Sequence, residues 1–512
     1  MTDDSRSGPS SAEKQQSRSS KWNWSAVLLA GFALALAVHH GSASLHTWQW
    51  EELGSVQPLL WLPFSFSQPH KPNATACLVQ EEIVPDVGVG PCQLSGNVHD
   101  CSCEYAAVER LNKDAVLPLL RALVRTPFFR YFKVNLYCDC PFWPDDGMCM
   151  LRDCGVCECE PDEVPAPWKD ADSTAASCEG SGSPSRLEAE SEVDRSVDAS
   201  TKVHLVNIHG WRGYNNPWCL EEETDSEYSY INLLANPERY TGYKGEHAHR
   251  VWNIIYSQSC FSGIAAPDVC AERKVFYRLI SGMHSSISAH IAQEYLLDEA
   301  RDVWGPNIAL FRDRLGNTGV RERVENLYFA YLFVLRATLK AAPLLEDIAY
   351  DTGFPEEDAR TGELVRKLVN SEAVQTACPV PFDEGRLWKG KDGPQLKRQL
   401  QSHFHNITSA MDCVGCEKCK LWGKLQLLGI ATSLKVLFSA EDCGMGSGHP
   451  PQLQLERNEV IAMLNLLERL SASIEAVRAL SLQLADGSWE QQHPQGLGAI
   501  QDVTHGSLYQ SL

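Results

Sequence analysis

Hydrophobic residues spaced three or four positions apart recur along much of the chain and predict amphipathic helices. One such stripe consists of Phe276, Ile280, Met283 and Ile287. The predicted helices are, in chain order, Leu117–Phe132 with an interruption at Thr126-Pro127, Arg273–Arg301, Arg321–Ala342 and Asn458–Ala485. Alternation with a period of two, which a half-buried strand would show, is scarce. The sequence therefore predicts a mainly α protein.

An apolar run near the N-terminus predicts entry into the secretory pathway. Residues 1–21 are polar and serine-rich, and residues 22–43 carry the apolar run, which ends in small residues. This pattern fits either an uncleaved signal anchor or a cleaved signal peptide, and it places the bulk of the chain on the lumenal side of a membrane. Two Asn-x-Thr triplets, at Asn73 and Asn406, agree with that route.

Charge and cysteine content narrow the class of protein. The 512-residue chain has a formal net charge of −21, which argues against nucleic acid as a partner because phosphates would be repelled. It contains 19 cysteines, and they concentrate between Cys138 and Cys178. That distribution indicates an oxidising compartment and a specialised redox or metal-binding segment.

Composition divides the chain into five predicted segments. They are a polar N-terminal segment, 1–21; the apolar segment, 22–43; a loosely structured lead-in, 44–76; the folded domain, 77–485; and a disordered tail, 486–512. Within the domain a flexible loop is predicted over about 138–202. Its second part, from Pro161, consists mainly of Glu, Asp, Ser, Pro, Ala and Gly and has almost nothing to bury.

A small cysteine cluster opens the predicted domain. Cys77, Cys92, Cys101 and Cys103 are separated by a stretch that contains glycine and proline, which favours a disulfide knot. Four cysteines allow three pairings, and their spacing does not choose among them.

The motif Cys413-Val-Gly-Cys416-Glu-Lys-Cys419 leads directly into an apolar stripe of helical spacing. Cys416 and Cys419 are therefore expected at a helix N-terminus, where the helix dipole and free N–H groups favour the thiolate form. Such a pair can close into a disulfide and reopen by exchange. The same spacing also suits zinc or an iron–sulfur cluster, so it leaves redox chemistry and metal binding open.

Dinucleotide-binding signatures are absent from the sequence. No Gly-x-Gly-x-x-Gly follows a predicted strand and no P-loop motif occurs, so a dinucleotide would have to be held by helices. Arginine suits phosphate, and Tyr or Trp suits stacking on a ring. The candidates are the segment Asn236–Gly245 with Trp252, Ser281, His284, Arg314 and Arg323. Each of these side chains taken singly also fits an ordinary core or surface role.

Several stretches of the chain together resemble the endoplasmic reticulum oxidoreductins, the flavin-dependent thiol oxidases that recharge protein disulfide isomerase. They are Cys140-Pro-Phe-Trp143, the pair Cys149 and Cys154, Asn236–Gly245, Phe276–Gly282 and Cys413–Gln426. The likeness extends from about Cys92 to Leu480. It implies a single large helical domain whose bundle core holds FAD, with a mobile cysteine-rich loop and a small N-terminal disulfide cluster.

The resemblance also implies a role for individual residues. Cys149 and Cys154 match the mobile shuttle pair, and Cys416 and Cys419 match the pair beside the flavin ring. The implied FAD contacts are Arg239, Thr241, Tyr243, Trp252, Ser281, His284, Arg314 and Arg323. The implied structural disulfides are Cys140–Cys413 and Cys260–Cys270. Asn406 matches a glycosylation site, and no metal site is expected.

The chain departs from the family pattern at several cysteines. Gly90 stands where the first cysteine of the N-terminal cluster is expected, so Cys77 is expected to pair with Cys103 and Cys92 with Cys101. Loop cysteines of animal members form inhibitory bridges, which makes Cys149–Cys178 and Cys154–Cys159 plausible off-state pairs. Additional cysteines are Cys138, Cys157, Cys378 and Cys443, and Cys157 gives Cys154 a competing partner.

The implied function is that of a lumenal thiol oxidase of the endoplasmic reticulum. Electrons from reduced protein disulfide isomerase pass through Cys149 and Cys154 to Cys416 and Cys419, then to FAD, and finally to molecular oxygen, giving hydrogen peroxide. The chain is expected to be a monomer, associated with the membrane through its N-terminal segment. The alternatives are a zinc-binding structural lumenal protein and an oxidoreductin that has lost turnover.

Overall fold

The structure is a computed structural model. It describes residues 104–143, 154–169, 206–207, 216–219, 228–238, 245–259, 270–298, 300–316, 321–378, 387–389, 391–438 and 453–486. All of them belong to the compact unit Ala74–Leu512. The predictions for the N-terminal segments, for the cluster of Cys77, Cys92, Cys101 and Cys103, and for the tail after Asp486 lie outside the described residues. The domain boundaries therefore stay predictions.

The described residues form a mainly α fold, as the sequence predicts. The helices are α1 Tyr105–Leu111, α2 Leu117–Leu123, α3 Pro127–Arg130, α4 Glu246–Ser259, α5 Ala271–Gln293, α6 Ile308–Phe311, α7 Arg321–Lys340, α8 Ala342–Asp347, α9 Pro355–Val369, α10 Glu372–Ala377, α11 Gly393–Ser409, α12 Glu417–Phe438 and α13 Arg457–Asp486. Two π-helical turns, Asn112–Val116 and Arg312–Gly316, and a 3-10 turn, Ala410–Cys413, adjoin them.

Three short two-stranded sheets complete the described part. Strand β1 is Tyr131–Val134, β2 is Val206–Asn207, β3 is Ser229–Asn232, β4 is Tyr295–Asp298, β5 is Val303–Gly305 and β6 is Leu455–Glu456. β1 pairs antiparallel with β3, β2 pairs parallel with β6, and β4 pairs antiparallel with β5.

Two predicted helices are too long. The helix predicted over Leu117–Phe132 ends at Leu123, resumes for one turn from Pro127, and gives way to β1 at Tyr131. The chain is extended there because Tyr131 and Phe132 pair with β3, and pairing between distant segments overrides the local pattern.

The helix predicted over Arg273–Arg301 was also too long at its C-terminal end. The observed helix α5 ends at Gln293, and Tyr295–Gly305 forms the β4–β5 hairpin. Tyr295 and Leu296 are extended because they pair with Gly305 and Trp304, and Asp302, with a φ of 55°, lies in the turn before β5.

Helices α5, α7, α12 and α13 pack against one another and form the core. Helix α13 contains no glycine or proline, so nothing interrupts its 30 residues. Gly282 lies where α5 meets α7, and a Cβ built there would stand 2.3 Å from the Asn326 carbonyl oxygen. Gly429 lies where α12 meets α13, with the Ala462 carbonyl oxygen 2.8 Å from such a Cβ. Glycine therefore allows these helices to approach closely.

A buried ion pair joins two of the core helices. Lys435 of α12 lies 2.8 Å from Glu459 of α13, and both side chains are almost fully buried. Asn216 also donates to Glu459, and so does the backbone N–H of Glu456. These bonds satisfy the carboxylate, which a buried charge requires.

Helix α12 is long and apolar enough to cross a membrane by length and composition alone. In the fold 89% of its most hydrophobic window is buried inside the protein. Its apolarity is therefore explained by its place in the core, where neighbouring helices cover it.

Candidate active site

Cys416 and Cys419 lie at the start of the most central helix. Cys416 immediately precedes α12, and its carbonyl oxygen accepts the N–H of Lys420 at 2.8 Å, closing the first helical turn. Cys419 is the third residue of the helix, so both sulfurs lie on one side of its first turn. Cys416 is fully buried and Cys419 is 9% exposed. The predicted position of the motif at a helix N-terminus is confirmed.

The expected thiolate character of Cys416 was wrong. Its pKa is raised, first by the hydrogen bond with the neighbouring Cys419 thiol and then by burial. A hydrogen bond with Cys154 acts in the opposite direction but is outweighed. Loss of hydration and an adjacent thiol thus exceed the effect of the helix N-terminus, and Cys416 is held in its uncharged form.

The described part of the cysteine-rich loop lies directly on this pair. Cys154 is buried and its thiol is hydrogen-bonded to that of Cys416. The Cys154 carbonyl oxygen accepts the N–H of Lys418 at 2.9 Å, and the N–H of Val156 donates to Glu417 at 2.8 Å. The loop thereby caps the N-terminus of α12, whose first N–H groups have no partner within the helix.

Further bonds hold the loop after Cys154. Asn236 accepts the N–H of Cys157 and donates to the Cys157 carbonyl oxygen, both at 2.8 Å. The N–H of Cys159 donates to the Tyr230 carbonyl oxygen at 2.9 Å, and Glu158 forms a bridge with Ile231 of β3. The segment is therefore fixed against β3 on one side and against α12 on the other.

The chain before the loop is also attached to the site. A disulfide bond joins Cys140 to Cys413, which lie 273 residues apart in sequence. Lys420 donates to the Leu136 carbonyl oxygen at 3.0 Å, and Lys424 donates to the Asn135 carbonyl oxygen at 2.8 Å. The two lysines are one turn apart on α12, so they hold the entry of the loop along the same helix face.

An apolar cavity of about 110 Å³ adjoins Cys419. Its walls come from α4, α5, α11, α12 and the turn before α12. The lining residues include Trp252, Met283, Cys419, Gly423 and Gln426. Most of the other lining side chains are isoleucine, leucine, valine or methionine. The cavity is a predominantly apolar space in direct contact with one thiol of the pair.

Trp252, which lines the cavity, belongs to a group of three aromatic rings with His284 and Tyr256. Trp252 of α4 stacks on His284 of α5 with ring centroids 3.9 Å apart and planes inclined by 22°. Tyr256, one turn after Trp252, contacts the Nδ1 atom of His284 at 2.5 Å. This group presents aromatic faces at the edge of the cavity, as the binding of a planar ring requires.

Positive charge lies beside the aromatic group. Arg314 and Arg323 both lower the pKa of His284, with burial as the largest cause, and the pKa is about 3. Arg323 also donates to the Arg314 carbonyl oxygen at 3.2 Å. His284 is therefore uncharged at neutral pH, and the two guanidinium groups supply the local positive charge of this region.

This arrangement fits a flavin dinucleotide. An apolar cavity touches a thiol, Trp252 lines it and stacks on His284, and two arginines near His284 carry the charge that suits a diphosphate. Ser281, one turn before His284 in α5, is buried, and its hydroxyl accepts a hydrogen bond from Asn326 at 3.1 Å. The structure brings Trp252, His284, Arg314 and Arg323 together. Arg239, Thr241 and Tyr243 lie outside the described residues.

Several predicted cysteine roles stay predictions. Cys149, Cys178 and Cys260 lie outside the described residues. Cys270 is described without a disulfide bond, and burial raises its pKa. Cys157 is exposed, whereas Cys159 is half-buried with its pKa raised to about 11, mainly by burial.

Asn406, the predicted glycosylation site, lies on α11, and its amide donates to Gln258 at 3.1 Å.

Sequence reasoning did not predict several contacts that hold the site together. Asn236 and Glu417 bind the loop, Tyr256 binds His284, and Glu238 accepts a hydrogen bond from Gln426 at 2.9 Å. Asn236 and Glu238 lie in the candidate segment Asn236–Gly245, and Tyr256 follows Trp252 by one helical turn. The other contacts join segments far apart in sequence.

Within the described ranges, no group of three or more His, Cys, Asp and Glu side chains is arranged to hold a metal ion.

Sequence comparisons place these features in a family. The family model described as Endoplasmic Reticulum Oxidoreductin 1 (ERO1) matches residues 115–477. Endoplasmic reticulum oxidoreductin-1 of Arabidopsis thaliana is 52% identical over 392 residues, which cover 75% of this chain and 80% of that protein. ERO1-like protein alpha of Homo sapiens is 36% identical over 429 residues, covering 75% of this chain and 90% of that protein.

A solved structure is also similar. The structure of a double-cysteine mutant of S. cerevisiae Ero1p shares 28% sequence identity, with a TM-score of 0.49, and the match covers 75% of this chain and 99% of that chain.

Proposed function

The chain belongs to the ERO1 family of endoplasmic reticulum oxidoreductins, and on that basis we propose that it is a thiol oxidase of the endoplasmic reticulum lumen. Its proposed task is to make disulfides de novo by oxidising protein disulfide isomerase with molecular oxygen. The observation that carries the proposal is the contact of Cys154 with Cys416, next to a cavity that Cys419 lines. One continuous path thus leads from a loop cysteine to an apolar cavity.

The first proposed step is thiol–disulfide exchange on the loop. A reduced isomerase attacks the Cys149–Cys154 disulfide. The isomerase leaves in its oxidised form, and Cys149 and Cys154 become thiols. The Cys154 thiol then attacks the Cys416–Cys419 disulfide at Cys416, and Cys419 leaves as a thiol. Attack by Cys149 on the mixed disulfide frees Cys416 and restores the outer disulfide. The contact between Cys154 and Cys416 supports this choice of sulfur.

FAD is the proposed cofactor because the cavity, the aromatic edge and the arginines suit its ring and its diphosphate. When bound, it accepts two electrons from the inner dithiol and passes them to oxygen, which yields hydrogen peroxide. Cys419 is placed to contact the ring, since it lines the cavity. Trp252 and His284 are proposed to hold the cofactor by stacking, and Arg314 and Arg323 to neutralise the diphosphate. The apolar walls exclude water from the reacting thiol.

The thermodynamic direction supports the proposal. A protein disulfide isomerase couple lies near about −180 mV, far below oxygen, so electron transfer from isomerase to oxygen is downhill. The protein therefore has to supply a route and a dry site, which the buried pair and its cavity provide.

The test is a visible absorption spectrum of the purified full chain, followed by oxygen uptake with reduced protein disulfide isomerase. We expect a flavin spectrum, and uptake that falls at least about 100-fold in both Cys416→Ala and Cys149→Ala, since each removes an obligatory sulfur. Cys219→Ser, which changes a cysteine outside the proposed route, is the matched control and should keep its uptake.

Other outcomes identify the alternatives. A colourless protein that contains zinc and unfolds on chelation would replace the oxidase proposal with a structural zinc protein. Bound flavin with no uptake by the wild type would indicate an oxidoreductin without turnover, or an off-state locked by Cys157, Cys159 or Cys178. Reduction of those loop cysteines before the assay separates the last two cases.

A further inference from the structure

Gln426 introduces a polar group into a mostly apolar cavity. It is the single amide side chain among the described residues that line the cavity beside Cys419, and it is 1% exposed. It lies two turns after Cys419 on the same face of α12. A cofactor ring in this space would therefore meet one hydrogen-bonding amide.

The orientation of this amide is set by Glu238. The Gln426 nitrogen donates to a carboxylate oxygen of Glu238 at 2.9 Å. An ionised carboxylate can only accept hydrogen bonds, so the nitrogen must face Glu238 and the amide oxygen is turned the other way. A protonated carboxyl group has a hydrogen to donate and can bind the amide oxygen instead.

Glu238 also borders a second pocket that is open to solvent. This pocket has a volume of about 450 Å³ and a polar wall. The charged and titratable groups around Glu238 are Arg469 and Glu468 of α13, His290 and Glu294 of α5, and Arg121 and Arg125 of α2. Arg469 forms an ion pair with Glu238. Glu238 thus lies between the solvent-open pocket and the buried amide.

Protonation of Glu238 near neutral pH is physically accessible. Burial raises its pKa to about 7, against the lowering effect of the Arg469 guanidinium. His290 does not compete for the proton in this range, because burial and Arg469 lower its pKa well below the usual value. The open pocket gives Glu238 access to water with which to exchange a proton.

We propose that Glu238 and Gln426 form a proton-linked switch that sets which end of the Gln426 amide faces the cavity beside Cys419. With Glu238 ionised, the cavity receives a carbonyl acceptor. With Glu238 protonated, the amide turns and the cavity receives N–H donors. Glu238 is a positioning residue that acts through Gln426. The inference rests on the proposed function, because the group that responds to the amide is the flavin ring, whose edge carries both donors and acceptors.

The experiment is a pH titration of the visible absorption band of the bound flavin, in the holoenzyme and without thiol substrate. For the wild type we expect a band shift with a midpoint near 7, the pKa of Glu238. Glu238→Gln and Gln426→Leu should both abolish the shift, because either change uncouples the amide from the proton. Glu468→Gln changes a neighbouring carboxyl in the same pocket and is the matched control: it should keep the band shift, with a lower midpoint because the Glu468 charge raises the pKa of Glu238.

The outcomes separate this inference from the proposed function. A flavin band whose pH dependence survives Glu238→Gln, or disappears in Glu468→Gln, would overturn the switch while leaving the oxidase standing. A chain that binds no flavin would overturn both. Glu238→Gln leaves Arg469 buried without its ion-pair partner, so the double variant Glu238→Gln/Arg469→Met is measured as well. It should also lack the shift.

Discussion

At the scale of single residues, the site is defined by the neighbour of each sulfur atom in the inner pair. Cys154 lies against Cys416, whereas Cys419 faces the cavity. The two sulfurs of the inner pair therefore have different neighbours, one a loop cysteine and the other an apolar space. This asymmetry divides the proposed reaction into an exchange side and an electron-transfer side.

That division predicts a specific trapped disulfide. In Cys149→Ser/Cys419→Ser, Cys154 and Cys416 both lose their usual partners. On treatment with oxidised glutathione, which is reduced to two glutathione thiols, Cys154 and Cys416 should bond to each other because their thiols already touch. Peptide mass spectrometry without reduction measures the product. The matched control is Cys149→Ser/Cys416→Ser.

We expect at least tenfold less Cys154–Cys419 disulfide in that control, on the order of a 1.4 kcal/mol preference. A result in which Cys154 bonds mainly to Cys419, Cys157 or Cys159 would contradict the assigned exchange sulfur.

His284 makes stability depend on pH. Its folded-state pKa is about 3 and its ordinary value is 6.5, so the unfolded chain binds the proton more readily. The contribution of His284 to stability is thus fully present above pH 6.5 and is lost as pH falls below it. Between about pH 7.5 and 5.5, wild type should lose about 1 kcal/mol more unfolding free energy than His284→Gln.

Urea unfolding at the two pH values measures this difference, and the pH-independent cost of the substitution cancels in the comparison. An equal loss in both proteins would show that His284 does not titrate as described. Because His290 is present in both proteins, its own lowered pKa does not affect the comparison.

At the scale of elements, helix α12 organises the site. Its N-terminus carries the inner pair, its first turns bind the loop and the chain before it, and its middle closes the cavity. Its interior is apolar because α7 and α13 pack against it and most of its length is buried. The positions of the reactive sulfurs therefore depend on how closely the core helices pack.

This dependence predicts a large effect from a small change at Gly282. A Cβ there would lie 2.3 Å from the Asn326 carbonyl oxygen and 2.8 Å from Ala330 Cβ, so α5 and α7 would have to move apart. Gly282→Ala should lower the free energy of unfolding by about 1–3 kcal/mol. Denaturant unfolding provides the measurement.

Gly362→Ala is the control, because Gly362 is also helical and a Cβ there meets only side-chain atoms, at 3.6 Å or more. It should be neutral or stabilising by up to about 1 kcal/mol. If Gly282→Ala and Gly362→Ala had the same effect, close helix contact at Gly282 would not matter to stability.

At the scale of the whole molecule, distant segments meet at one place. The Cys140–Cys413 disulfide closes a loop of 273 residues, which includes the cysteine-rich segment and two of the four core helices, α5 and α7. It fixes the start of the loop beside the first turn of α12. Because the loop is long, cross-linking removes much conformational freedom from the unfolded chain.

Cys140→Ala/Cys413→Ala should therefore lower the free energy of unfolding by about 2–5 kcal/mol. Non-reducing urea unfolding measures it, with Cys157→Ser as the control at an exposed cysteine. A loss below about 0.5 kcal/mol would mean that packing, together with the bonds of Lys420 and Lys424, already holds the segment in place.

The sequence by itself determined the helical class, the position of Cys416 and Cys419 at a helix N-terminus, and the family. These depend on local periodicity and on contiguous motifs, which one stretch of chain carries whole. It could not determine the end of the helix after Leu117, because the pairing of Tyr131 with β3 is long-range.

Only the tertiary structure decided the electrostatic and contact properties of the site. The pKa of Cys416 depends on a neighbouring thiol and on burial, which outweigh the helix terminus that the motif predicts. The bond between Glu238 and Gln426 joins residues 188 positions apart, so no local pattern predicts it. Such properties arise from the burial and pairing of distant side chains, which exist only once the chain has folded.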